Sequence, residues 1–231
     1  MDALARLHSH TAGLLGQVDD LLARCGAPAD HPIWPLLRRT GALPGDLVGG
    51  LAAWSPGPWL EQAEVLRRAA RDADDLVADL PVERAGTYGW SGPAADAFAV
   101  RAGAVRGQVR DWSEQVRADA ERLGELAHWL QDARQRAARV LARVASSAQA
   151  VALVTGVAPG APSVRAEVDG GDRVLRVRAA AAAEIGATLL VEFDRLLGEG
   201  EELVARAPVV RESAELTVDL GPSAATLRVD L

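Results

Sequence analysis

The segment Trp90-Ser91-Gly92, followed at once by Pro93-Ala94-Ala95-Asp96-Ala97-Phe98, lies between two long runs of helical periodicity. Upstream, Leu60, Ala63, Leu66, Ala69, Ala73, Leu76 and Leu80 recur every three or four residues. Downstream, Phe98, Ala102, Val105, Val109, Trp112, Val116, Ala120, Leu123, Ala127 and Leu130 do the same. Two amphipathic runs joined by a glycine-containing reversal with a large indole make an antiparallel helical hairpin. The second stripe steps mostly by four and three in alternation, so it is nearly heptad and suits a partner helix. Gly92 can take the backbone angles of a reversal, Pro93 fits the first turn of a helix, and Ser91 or Gly92 is placed to cap it. Trp90 is then expected to close the open end of the hairpin over the small Ala94 and Ala95.

Trp-x-Gly between two helices, with Ala94, Ala95 and Phe98 in step along the second, resembles the WXG100 family of small helical-hairpin proteins over residues 59–150. The resemblance implies a non-enzymatic protein associated with type VII (ESX) secretion, acting as a substrate or a co-exported partner. It implies a homo- or heterodimer pairing helix on helix as a four-helix bundle. The partner-binding residues would then be Trp90 and Gly92 at the turn and Phe98, Val105, Val109, Trp112, Val116 and Leu123 along the seam. Exported members usually carry Tyr-x-x-x-Asp/Glu after the second helix. Here the only tyrosine is Tyr88, before the turn, and Trp129-Leu130-Gln131-Asp132 is one residue short of that spacing. The export signal is therefore expected on a partner.

The hydrophobic share of 49% is ample for a core, but aromatic residues make up only 4%. Much of the apolar content is alanine, which predicts thin helix–helix seams. All 25 basic residues are arginine, the mark of a GC-rich coding bias that fits an actinobacterial origin. A net charge of −7 argues against general nucleic-acid binding, which requires a basic face. Arg134, Arg136, Arg139 and Arg143 cluster, but on a helix they spread around the circumference and predict a solvated face; Asp72, Asp74, Asp75 and Asp79 form an acidic face on the preceding helix. The single Cys25 excludes an internal disulfide. The start, Met1-Asp2-Ala3-Leu4-Ala5-Arg6, has neither a basic segment nor an apolar run, which predicts no cleavable signal peptide and a cytoplasmic protein, exported, if at all, by a type VII system. Residues 144–163 lack charges but hold several Ser, Gly and Pro, so they read as a helix end entering a linker and not as a membrane span.

The fold class expected is mainly α: an antiparallel helical hairpin or bundle with a Trp-x-Gly turn, plus a small C-terminal α+β segment. Residues 1–58 comprise an amphipathic helix over 2–24, weakened by Gly13 and Gly16, then a Pro/Gly-rich stretch. That stretch has short helical turns near 36–39 and 46–53, and is apolar enough to fold back on the bundle. The hairpin occupies 59–157, with helices near 59–80 and 93–155 and a possible kink at Gly124. Gly156 to Pro162 marks a boundary. Beyond it, 163–231 reads as a ββαββ tail with strands at Val164–Val168 and Val174–Arg178, a helix from Ala180 to Ala205, and a closing hairpin between Leu216–Leu220 and Leu227–Leu231. A competing reading makes 172–207 one long helix.

Chemistry is sparse. His8 and His10 are two apart on a helix and face different ways, His31 precedes a proline, and His128 stands mid-helix, so no metal site is expected. No phosphate loop with its lysine and no Gly-x-Ser-x-Gly occurs. Paired acids such as Asp74-Asp75 are adjacent, the mark of a solvated face. No catalytic residue and no cofactor are expected. The alternative function is a cytosolic adaptor or chaperone that holds a client protein at its C-terminal β edge.

Overall fold

The computed structural model describes residues 2–79, 89–158, 170–206, 216–218 and 225–227. The protein is mainly α. Its helices are α1 (Ala3–Cys25), α2 (Ile33–Thr40), α3 (Pro44–Ala53), α4 (Gly57–Asp79), α5 (Pro93–Ala145), α6 (Ala148–Thr155) and α7 (Gly170–Arg206). Two three-residue strands, β1 (Leu216–Val218) and β2 (Ala225–Leu227), pair antiparallel with Leu216 opposite Leu227. The described residues divide into two compact units, 1–56 with 128–205 and 57–127 with 206–231. The division falls inside α5.

In the first unit, α1 starts where Asp2 accepts the Ala5 N–H at 3.0 Å, and Gly26 ends it with a positive φ. Pro44 sits in the first turn of α3, and its exposed N-terminal donors are met from outside: both Asp19 carboxylate oxygens of α1 accept from the Gly45 N–H at 3.1 Å. The core gathers Leu15, Val18, Ile33, Leu141, Leu153, Ile185, Leu189 and Leu190. Between these large residues lie Ala137, Ala138, Ala150, Ala152, Ala181, Ala182 and Ala183, all buried. Small side chains at these positions let helix backbones approach closely, so alanine does most of the seam work.

Three expectations are corrected here. Val174–Arg178 is not a strand; it lies within α7. Val174 meets Gly156, and Arg178 donates to the Val154 carbonyl at 2.8 Å, so residues four apart face one neighbour, which is helix spacing. The expected strand 164–168 lies outside the described residues. The helix from Pro93 runs unbroken through Gly124 and stops instead at Ala145, with α6 bent from it by 55°. A lone helical glycine costs roughly 1 kcal/mol but leaves the hydrogen-bond ladder intact. Ser147 breaks it: its Oγ donates to the Val144 carbonyl and accepts from the Ala150 N–H, capping a new helix.

The arginine cluster is the third correction, because two of its members are structural and not solvated. Arg134 is only 7% exposed. Its Nε donates to Asp2 at 2.6 Å, and its Nη1 donates to the carbonyls of Leu51 and Trp54 at the end of α3. Arg136 bridges Glu192 at 2.7 Å and Glu199 at 2.6 Å on α7, and these hydrogen bonds, Glu199's foremost, raise its pKa further. Arg39 of α2 pairs with Asp194 and Glu201 of the same helix. None of these pairs involves the acidic face of residues 72–79.

The Arg134 hydrogen bond holds the Asp2 carboxyl below its ordinary range, whereas burial pushes Asp19 up. For Asp2 the folded pKa is depressed, so its stabilisation is present above the unfolded value, about 3.9, and is lost as pH falls through the folded one. Asp19 has the opposite sign, losing stability as pH rises from its unfolded to its folded pKa. In urea unfolding between pH 5 and 2, Asp2→Asn should flatten the acid-side loss of stability. Asp19→Asn should steepen it. Equal slopes in all three proteins would refute both assignments.

Candidate functional site

The sequence-derived site lies in the second unit. Asp74 accepts from Ser113 Oγ and from Arg117, each at 2.5 Å, while Arg67 approaches Gly124. Residue numbers fall along α4 as they rise along α5, so the two helices are antiparallel. Their seam is Leu66 and Ala70 from α4 with Val116 and Ala120 from α5, all buried, and Ala69, Trp112 and Leu123 pack at its edge. Ser113 is fully buried, and its hydroxyl is satisfied by Asp74, itself held by Arg117. This polar clamp fixes the register of an otherwise smooth apolar seam. On the outer face of α4, hydrogen bonds from Arg71 and then Arg67 lower the pKa of Glu64.

The eight proposed contact residues fall into two groups. Val109 and Val116 are buried within the chain, Val105 is half-buried, and Trp112 and Leu123 lie against the chain's own α4–α5 cluster. The stripe read as a partner seam thus already has an internal occupant along Val116, Trp112 and Leu123. Trp90, Gly92 and Phe98 stand apart from that cluster. Gly92 has φ +104°, a conformation that L side chains rarely adopt, and its carbonyl accepts the Asp96 N–H at 3.1 Å, which opens α5. Trp90 meets an aromatic partner: its ring lies 5.4 Å from that of Phe98, tilted by 50°. Ala95 is buried beneath this end of the helix. Both rings stay open to solvent, Trp90 at 45% and Phe98 at 39%, and Val100 beyond them is more exposed still.

Sequence reasoning missed the Ser113–Asp74–Arg117 clamp. Its signal was available: Ser113 sits beside Trp112 on the inner stripe, where a small polar residue needs a partner from α4. Among the described residues, no three of His, Cys, Asp and Glu gather as a metal site. His31 accepts the Ile33 N–H at Nδ1 and lies 3.4 Å from Glu184 through Nε2, a helix-start contact. Among the same residues no single helix is long and apolar enough to cross a membrane. No family model matches the chain, and neither a curated protein nor a solved structure matches it.

Proposed function

We propose that the protein is a non-enzymatic helical interaction protein that serves type VII secretion, as a substrate or as the partner of one. The observation that supports this reading is the aromatic pair at the start of α5. Trp90 and Phe98 touch each other, remain partly exposed and take no part in the buried α4–α5 seam. Paired aromatics with one face free are the usual anchors of a protein interface. The contact surface is accordingly narrower than the full stripe: Trp90, Gly92 and Phe98 recognise the partner, while Val109, Trp112, Val116 and Leu123 hold the chain's own hairpin. A second reading, an adaptor that adds a client strand to the β1–β2 ribbon, draws on its two-stranded pairing.

The test is secretion from the native host in strains with and without a working type VII ATPase. Wild-type protein should reach the medium only when the ATPase works. The double variant Trp90→Ser/Phe98→Ser should reduce export at least tenfold while its circular dichroism stays that of the wild type. Protein confined to the cytosol in both strains would sink the secretion reading. Loss of a captured client on deleting residues 207–231 would favour the adaptor.

A further inference from the structure

The first unit contains a cleft of about 230 Å³ walled by Leu51 and Trp54 at the end of α3, Trp129 of α5, and Phe193, Leu196 and Leu197 of α7. We propose that it binds a small neutral aromatic molecule of one or two rings, an activity separate from the interaction assigned to Trp90 and Phe98.

Four observations carry the proposal. The first is size. The volume exceeds the roughly 150 Å³ apolar cavity that accepts benzene and falls below the roughly 300 Å³ of drug-sized pockets. Trp54 is 56% exposed and Leu197 38%, so the mouth is open.

The second is that the walls are built in advance. Arg134 donates to the carbonyls of Leu51 and Trp54 and holds the end of α3, while its own charge is met by Asp2. Gly200 of α7 lets the Trp129 indole lie flush: a Cβ there would come within 2.9 Å of the ring. That contact explains a glycine in a helix interior, where any residue but proline would otherwise favour the helix.

The third concerns water. The indole N–H of Trp129 is buried and has no acceptor among the described residues. Being buried, that N–H is not presented to a water in the cleft, and the apolar side chains of the walls offer no hydrogen bond either. Water in such a space is weakly held and readily displaced by an apolar guest. Two indoles and a phenyl favour a planar aromatic guest over a flexible chain.

The fourth is charge and shape at the rim. Asp46 is the one charged residue among those lining the cleft, and it is exposed. It repels an anionic guest, so fatty-acid carboxylates and aryl sulfonates are poor occupants. Gly50, also on the wall, is a helix-interior glycine whose added Cβ would meet nothing within 4 Å. No packing contact demands a glycine there, and its absent side chain keeps the wall open.

The experiment titrates the full chain with the neutral two-ring fluorophore 2-naphthol and, separately, with its anionic analogue naphthalene-2-sulfonate. The expected result is saturable one-to-one binding of the neutral probe and at least tenfold weaker binding of the anion. Gly50→Leu fills the open wall with a better helix former, and should weaken binding at least tenfold with an equal or higher melting temperature. Leu197→Glu, at a half-exposed position, should do the same without unfolding the protein. The proposal is overturned by an absence of saturable binding, by equal affinity for the anion, or by affinities within twofold of wild type in both variants.

Discussion

Replacing Arg134 with alanine should cost the first unit about 3 kcal/mol of stability, among the largest losses expected from any single polar position here. The estimate follows from what the guanidinium touches. It is 7% exposed, it ion-pairs with Asp2 at the start of α1, and it serves two carbonyls where α3 ends. Removing it takes the donor from the Leu51 and Trp54 carbonyls and leaves a hole that alanine does not fill, and a hydrogen bond to a charged group contributes about 1.5–3 kcal/mol. The Asp2 side chain is 45% exposed and recovers water, which keeps the total near the lower end for a broken buried pair. Arg139, exposed on the same helix, is the control: Arg139→Ala should change stability by less than about 0.5 kcal/mol. Urea unfolding followed by circular dichroism distinguishes the two. Equal midpoints for both variants would mean that Arg134 is no more than a surface charge.

That contrast shows where the sequence was legible. Apolar periodicity located α1, α4 and most of α5 to within a few residues, because each helix buries one continuous stripe and the period of a stripe is set by helix geometry alone. Partner choice is different. Val116 and Leu123 carry the same periodicity whether they meet α4 or a second protein, so the stripe was legible and its occupant was not. Arg134 was misread for a related reason. It stands among Leu130, Ala133, Ala137 and Leu141 on the inward face, but a charge in an arginine-rich run reads as solvent-facing unless its acceptors, 132 and about 80 residues away, are known. The strand expected at 174–178 failed because Leu-Arg-Val-Arg satisfies period two over the four residues 175–178. Only the continuation through Val177, Ala181 and Ile185 reveals the helical step.

Glycines make the same point most sharply, and lead to the last expected result. Gly13 in α1 and Gly186 in α7 are both helix-interior glycines, indistinguishable by local sequence. Gly13→Leu should be neutral or stabilise the protein by up to about 1 kcal/mol, because a Cβ there meets nothing within 4 Å and leucine is the better helix former. Gly186→Leu should instead destabilise it by at least about 3 kcal/mol. At Gly186 a Cβ alone would lie 2.9 Å from Ile33 Cδ1, 3.1 Å from Leu22 Cδ1 and 3.3 Å from Pro44 Cγ. Those three atoms belong to α2, α1 and α3, so the glycine is the point where the N-terminal helices descend onto α7. Leu22, Ile33 and Pro44 are themselves buried and have little free volume into which to retreat. Gly186→Ala separates backbone from volume. It adds one methyl where leucine adds four carbons, and its gain in helix propensity offsets part of that smaller clash, so its stability should fall between wild type and Gly186→Leu. A leucine at 186 that left the unfolding midpoint unchanged would show that α1, α2 and α3 do not rest on α7 there.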